Sequence, residues 1–312
     1  MLNDIQDLYG RRIQVYNTAD SERPTASVGL AFVLNCEITN TSNVTVKELI
    51  LGGALLLTTT WHNIDTISIL NIYAPNDYGE QRDFWERLQA IWDEQCLPKP
   101  DFMLGDFNLV EDPIDRSPPH ADPLPPTDAL CDMHLTQHLV DAWRTDNLTE
   151  RSYTFYSSLN RFSRIDRIYS QAHHVPNLLE WYMGPTVVPT DHNMVSVRYA
   201  PLNAPYIGPG QWAWPAGMIH DKDLLQGIME IGCKIERRAD SLGSNPEDKT
   251  VIQLLWEELK MCSCQLAKQH AKHTLAKISN CIHALQHDLN QAANSPLMDI
   301  SEDARTNTAI LE

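Results

Sequence analysis

The residues best suited to chemistry are an aspartate set in an apolar run and an aspartate–histidine pair that follows it. Asp166 lies inside Phe162-Ser-Arg-Ile-Asp-Arg-Ile168, and Thr190-Asp-His-Asn193 supplies Asp191 and His192. Upstream, Gly105-Asp-Phe-Asn108 puts Asp106 and Asn108 at the end of another apolar run. A histidine titrates near neutrality and suits a general base. An aspartate bonded to its other ring nitrogen would fix its tautomer and orientation. Carboxylate oxygens suit a hard cation such as Mg²⁺. Cleavage of a phosphate ester needs an activated water, relief of charge on the phosphoryl oxygens and a proton for the leaving oxygen. Asp106, Asn108, Asp166, Asp191 and His192 could supply these together.

Each motif alone has a plainer reading. Gly-Asp-Phe-Asn could be a strand-to-turn connection, because Gly, Asp and Asn favour turns. Asp191 could cap or turn the chain, and Asn71-Ile-Tyr-Ala-Pro-Asn76, with Tyr73 and Asn76, could end a strand. Asp166 is harder to dismiss, since a carboxylate among Ile165, Ile168 and Tyr169 needs a partner if buried. Arg151, Arg161, Arg164 and Arg167 cluster around it. They read either as solvent-side strand ends or as a grip on a nucleic-acid backbone.

Those residues need strands to hold them. Apolar runs predict strands over 28–35, 44–48, 54–60 and 66–73, a short one from Asp101 through Gly105, and further short ones over 152–157, 164–169 and 194–199. Residues 79–95 read as an amphipathic helix with Phe84, Leu88, Ile91 and Trp92 on one face, stopped by Pro98 and Pro100. Residues 113–126 are too proline-rich for helix or ladder and read as a loop. Thr127 is a plausible N-cap for a helix to about Trp143. This pattern predicts a layered α/β sandwich over 1–200.

Beyond it, Pro201, Pro205, Pro209 and Pro215 with Gly208 and Gly210 predict a linker over 201–220. A helical extension follows over 221–293. Leu255, Leu259, Cys262 and Leu266 keep helical spacing, and Leu275, Ile278, Ile282, Leu285 and Leu289 do so in a second register. The stripes fit an antiparallel helix pair or a coiled-coil partner met through 250–290. Residues 294–312 read as disordered.

Bulk properties set limits. A chain of 312 residues is long enough for a sizeable core, and 43% apolar with 21% charged residues is ordinary for a globular protein. A net charge of −17 argues against a protein coated with basic residues for nucleic acid. No apolar run approaches the ~20 residues that span a bilayer, so no membrane partner is expected. The seven cysteines are scattered and contain no CxxC, which fits an intracellular, reducing compartment without saying whether nuclear or cytoplasmic. Nothing after Met1 reads as a signal segment.

The order Asn-Ile-Tyr-Ala-Pro-Asn, Gly-Asp-Phe-Asn, Ser-Arg-Ile-Asp, Asp-His resembles the endonuclease/exonuclease/phosphatase superfamily over roughly 10–200. Tyr153-Thr-Phe-Tyr-Ser-Ser158 with the Ser-Arg-Ile-Asp run, and Asp115-Arg-Ser117, resemble the endonuclease domain of non-LTR (LINE-type) retrotransposons. The resemblance implies a four-layer sandwich of two sheets flanked by helices and Mg²⁺- or Mn²⁺-dependent nicking of DNA. It implies His192 as base, Asp166 as its orienter, Asp106 and Asn108 at the phosphate, and Asp191 with Asp106 at the metal. Tyr73 would touch the phosphate, Asn76 would support the site, and Arg161, Arg164 and Arg167 would meet substrate.

The family ordinarily opens with a strand carrying Asn and another ending in Gln-Glu, whose Glu is the main metal ligand. Neither motif precedes the strand at 28–35, and Glu22 and Glu37 lack the context. A fold short of its first strands is therefore expected, with weak or absent nicking, as in a retroelement fragment. A catalytically silent nucleic-acid or protein interaction module, and a phosphatase of the same superfamily, are the alternatives.

Overall fold

Apolar runs in the first two hundred residues assemble a six-stranded sheet. The computed structural model describes residues 9–19, 29–61, 65–157, 159, 161–186, 190–202, 204, 212, 214, 216–242 and 246–312. The chain divides into two units, Met1–Pro205 with Leu289–Glu312, and Tyr206–Asp288.

In the first unit the main sheet runs β3 (Thr45–Ile50), β4 (Ala54–Trp61), β5 (Asp65–Tyr73), β6 (Phe102–Asp106), β11 (Asp166–Gln171) and β8 (Leu139–Asp141). Only the β5–β6 pair is parallel, and a parallel pair needs a crossover. Helix α1 (Tyr78–Glu94) supplies it. Asp77, not foreseen as a cap, accepts from the Gly79 and Glu80 amides. Phe84, Trp85, Leu88 and Trp92 from α1, with Leu130 and Met133 from α2 (Leu124–Gln137), bury one sheet face against Leu56, Leu70, Ile72 and Met103.

Strand pairs cover the other face. β1 (Ile13–Ala19) pairs with β2 (Gly29–Asn35), whose Leu30 and Phe32 meet Leu55 and Leu57. β12 (Leu178–Gly184) pairs with β13 (Met194–Tyr199), and Leu178, Trp181, Val197 and Tyr199 pack with Ile67 and Phe102. The result is an α/β layering of helices, main sheet and a second strand layer, which among the described residues consists of separate pairs. A small sheet, β7 (Arg116–Ser117), β10 (Arg161–Ser163) and β9 (Phe155–Ser157), completes the unit.

Several local expectations need correction. The proline-rich stretch holds β7 and the start of α2, because Pro125 and Pro126 sit in the first turn, where no intrahelical donor is needed. Thr127 is inside that helix, and its hydroxyl donates to the Pro123 carbonyl. The helix stops at Gln137, where His138 turns left-handed, and Asp141 caps the separate α3 (Ala142–Asp146). The period-two pattern of β12 is broken by a register shift between Leu179 and Tyr182, with Glu180 at φ 54, which hid this strand from pattern reading. Glu22 lies outside the described residues, and exposed Glu37 pairs with Arg12.

The tail from Asn294, expected to be disordered, instead forms a 3-10 turn at Pro296–Asp299 and α6 (Glu302–Leu311). Ala293 and Met298 bury against Tyr153 and Phe162, and Arg151 pairs with Asp299 at 2.8 Å. That apolar contact and two serine caps, Ser295 and Ser301, outweigh the polar composition of the segment.

The second unit is a helix pair, α4 (Lys222–Asp240) and the part of α5 (Pro246–Ala293) up to Asp288. Arg238–Glu258 and His270–Asp221 contacts at 2.7 and 2.8 Å fix the two as antiparallel. Leu224, Ala267 and Ala271 form their seam with Met218. The Leu266 side-chain tip packs directly over Gly227, 2.7 Å from where a Cβ would stand. Half of the expected 201–220 linker lies outside the described residues, and its end, Ala216–His220, forms a 3-10 turn.

Candidate functional site

Three adjacent strands bring the chemical groups to one end of the main sheet. Tyr73 on β5 is level with Asp106 on β6, and Asp106 is level with Asp166 on β11. Gly105 makes this possible. It sits at φ +135, and a Cβ there would lie 1.9 Å from the Ile72 carbonyl oxygen, so no other residue fits. The turn that follows is held by its own side chains. The Asn108 amide donates to Asp106 Oδ1 at 2.9 Å, and Asn108 Nδ2 donates to the Ala74 carbonyl at 2.9 Å. Gln81 on α1 then clasps the Pro75 and Asn108 carbonyls.

His192 arrives on an extended segment that bridges to Phe155. The Tyr156 amide donates to the Asp191 carbonyl at 3.0 Å, and the Asn193 amide donates to the Thr154 carbonyl. Thr154 also receives the Asp166 amide on its hydroxyl. The same threonine thus ties the two halves of the pair together. His192 Nδ1 lies 2.9 Å from Asp166 Oδ2, and among the described residues Nε2 has no hydrogen-bond partner. The bond to Asp166 raises the imidazole above its ordinary pKa, against the opposing effect of burial.

Asp106 behaves in the opposite sense to a salt-bridged carboxylate. Burial, then repulsion from Asp166, pushes it up to about 6. Asp106, Asp166 and His192 each offer a ligand atom, all within 4.8 Å of one another. Two facing carboxylates that repel in a half-buried site are what a hard divalent cation would neutralise, so the donor set fits such an ion. Asp106, Asp166 and His192 are the groups that could hold it, and exposed Asp191 lines the same cleft as Asp106.

The cleft, about 440 Å³, is lined by Tyr73, Asn76, Tyr78, Asp106, Asn108, Arg116, Phe155, Ser163, Ile165, Asp191 and His192. All the expected acid–base, metal and phosphate-contacting positions line it except Asp166, which stands behind His192. Burial, then the nearby Asp106, raises the Tyr73 hydroxyl pKa. No glutamate lines the cleft among the described residues.

The expected arginines are not in it. Arg164 and Arg167 are each 1% exposed. Arg164 grips Asp115 through Nε and Nη2, both at 2.8 Å, and also pairs with Asp141. Burial would push the Asp115 carboxyl up, but Arg164 and Arg144 outweigh it and hold it below its ordinary value. Arg167 pairs with Glu111 at 3.1 Å and stands over the Phe107 ring. Both cations are consumed by burial, where an unpaired charge is too costly to keep. Arg161 is exposed at the start of β10 but does not line the cleft.

The cation that does line it is Arg116, the arginine of Asp115-Arg-Ser117. Asp122 holds its guanidinium from both sides, Nε at 3.0 Å and Nη2 at 2.6 Å, and its Nη1 donates to Ser163. Tyr78 also donates to Asp122. The spacing of Arg116 and Asp122 could have flagged the pair, but nothing in it distinguishes a cleft from a surface.

A second Asp–His pair stands at the other end of β6. His174 Nε2 lies 2.9 Å from Asp101 Oδ1, and the Tyr199 hydroxyl meets Nδ1 at 3.0 Å. Asp101 Oδ2 accepts from the Ser68 amide and hydroxyl. Both ring nitrogens are engaged, and the ring stacks on Phe102 at 5.2 Å.

The profile of the endonuclease/exonuclease/phosphatase family matches residues 13–192. The "Transposon TX1 uncharacterized 149 kDa protein" of Xenopus laevis is 30% identical over 155 residues, which is 48% of this chain and 12% of that protein. This chain thus matches only a small part of its relative's length. Among solved structures, the AP endonuclease LMAP from Leishmania major superposes with a TM-score of 0.50 at 12% identity, over 64% of this chain and 75% of that one. The endonuclease domain of TRAS1, a telomere-specific non-LTR retrotransposon, superposes with a TM-score of 0.46 at 17% identity, over 63% and 83%. With more than half its length matched, this chain belongs to the endonuclease/exonuclease/phosphatase family.

Proposed function

We propose that the first unit is a DNA-nicking endonuclease domain of the retroelement type, acting slowly. The observation that carries this reading is the Asp166–His192 pair facing Asp106 across one cleft. His192, oriented through Nδ1, would take a proton from water at its free Nε2. Asp106 and Asp191 would hold Mg²⁺ or Mn²⁺, which when bound offsets charge on the phosphoryl oxygens. Arg116, pre-set by Asp122, would meet a non-bridging phosphate oxygen, and a fork held in place loses little freedom on binding. Tyr73 and Asn108 would bound the phosphate on the other side, with Asn76 at the rim. The similarity to a transposon protein favours DNA over a lipid or inositol phosphate as substrate.

The absence of a glutamate from the lining, among the described residues, favours a weak grip on the cation and hence a low rate. It also supports a second reading, a silent module that binds nucleic acid without cutting it. Conversion of supercoiled plasmid to open circle, in Mg²⁺, Mn²⁺ and EDTA, separates the two. The enzyme reading expects slow open-circle formation that EDTA abolishes. Salt-dependent DNA binding with no open circle in either metal would establish the silent module.

A further inference from the structure

We infer that residues 293–312 are a brace that holds the His192 side of the cleft in place, with Glu312, acting through Asn193, as its positioning residue. The catalytic half of this inference rests on the reading of the cleft as a nicking site.

The two sides of the cleft are supported differently. Tyr73 and Asp106 stand on β5 and β6, inside the main sheet. Arg116, Phe155 and Ser163 stand on β7, β9 and β10, and His192 bridges to Phe155 at the edge of β9. Those three strands are two, three and three residues long. Strands that far below the usual ~5–6 residues need packing to hold a sheet together. The Asp166–His192 pair thus joins a residue of the main sheet to one carried at the edge of a small and weak one. Whatever steadies the small sheet steadies the pair.

That support comes from 293–312. Tyr153 and Phe162 cluster with Ala293 and Met298, with Tyr156, Ala304 and Ala309 at the margin. Every member of the cluster outside the aromatic trio belongs to the brace. Its near end is tied by Arg151, whose amide donates to Asn294 Oδ1 at 2.8 Å and whose guanidinium meets Asp299 at 2.8 Å. Ser117 on β7 donates to the Met298 carbonyl at 3.4 Å. The far end returns to the site. Asn193 Nδ2 donates to Glu312 Oε1 at 2.6 Å, while the Asn193 amide donates to the Thr154 carbonyl. Glu312 also lies against Tyr156 on β9, where burial and then the Glu312 charge raise the hydroxyl pKa. Glu312 therefore spans from β9 to the residue that follows His192, and a charge-assisted bond of this kind is roughly twice as strong as a neutral one.

Glu312→Ala and Glu312→Gln of the full chain test the brace in two ways. Hydrogen exchange needs neither metal nor DNA. Glu312→Ala should speed exchange in β9 and in residues 190–194 and leave β5 and β6 unchanged. Glu312→Gln should behave as the wild type, because its amide oxygen still accepts from Asn193. Plasmid nicking in Mn²⁺ reads the positioning role. Glu312→Ala should lower the rate at saturating DNA by about 10–10²-fold, the scale of a small misplacement at a reacting group. Its KM for DNA should stay unchanged, and Glu312→Gln should restore most of the rate. Exchange that is the same in all three proteins overturns the inference, with or without nicking. Faster exchange in Glu312→Ala with an unchanged nicking rate overturns the positioning role. A wild type that does not nick, with the exchange contrast present, refutes the reading of the cleft and leaves the brace standing.

Discussion

Strand β6 carries an Asp–His pair beyond each end, and the two differ in what is left free. At the 101 end, His174 has Asp101 on one nitrogen and Tyr199 on the other, and its ring stacks on Phe102. At the 106 end, His192 has Asp166 on Nδ1 and an open Nε2 facing a cleft. The carboxylates at the two ends of β6 differ as well. For Asp101, burial raises the pKa, but bonds from His174 and Ser68 outweigh it and keep the group below its ordinary value. Asp106 finds no cation among the protein's own groups close enough to offset burial and Asp166, and rises to about 6. A satisfied pair stabilises the fold, and an unsatisfied one is left for a ligand. The distance within the pair, 2.9 Å in both, says nothing about which is which.

Breaking the cleft pair at its orienting member should have the largest effect. Asp166→Asn is expected to lower the nicking rate by about 10²–10⁴-fold, the usual range for misplacing a general base. It should also move the pH profile. His192 must be neutral to accept a proton, so nicking should rise with pH through a midpoint above ~6.5, the ordinary histidine value, and the midpoint should fall in Asp166→Asn. The linked stability has the opposite sense. The raised histidine pKa stabilises the fold fully below ~6.5, and this stabilisation disappears as pH climbs through the folded value. Rates measured across pH on folded protein check the first statement, and urea midpoints check the second.

Breaking the satisfied pair should act on the fold instead. Asp101→Asn is expected to cost about 1–3 kcal/mol, as for a partly buried charge-assisted bond. A depressed carboxyl contributes above its unfolded pKa, ~3.9, and loses that contribution as pH falls through the folded value. The deficit of the variant should therefore be full at neutral pH and shrink in acid. A deficit that persists unchanged at low pH would show that the carboxylate charge is not the cause.

A smaller and reversed effect is expected at Asp106. Asp106→Asn removes one of two repelling groups, so in EDTA its melting temperature should equal or exceed that of the wild type. The rise that Mn²⁺ gives the wild type should be lost, because only a ligand that prefers the folded state stabilises it. A fall in melting temperature in EDTA would contradict the repulsion. The smallest effect is expected at Arg161. Its removal to Ala should weaken DNA binding slightly and reduce the salt slope by at most about one phosphate contact.

Much of this site is legible in the amino-acid sequence. Gly105-Asp-Phe-Asn108 reads as a strand-to-turn unit because Gly, Asp and Asn favour turns, and the backbone there leaves room only for glycine. Asp166 stood out because a carboxylate among isoleucines needs a reason. The register that sets Asp106 against Asp166 was not legible, since strands distant in sequence choose partners by packing. The arginines misled for a related reason. Spacing cannot tell Arg164, locked to Asp115 inside the fold, from Arg116, held by Asp122 at the cleft. His174 is not legible as a paired histidine because its partners, Asp101 and Tyr199, are far away in the chain. The C-terminal segment reads as polar and loose until Tyr153 and Phe162 give Met298 a place to bury.

The comparison of the two pairs can be decided by one measurement, the plasmid-nicking rate per folded molecule of His192→Ala against His174→Ala, in Mn²⁺ and in EDTA. The expected result is slow, EDTA-sensitive nicking by the wild type, retained per folded molecule in His174→Ala and lost in His192→Ala. Equal losses in the two variants, or nicking that survives in His192→Ala, would contradict the assignment of the cleft pair as the working base.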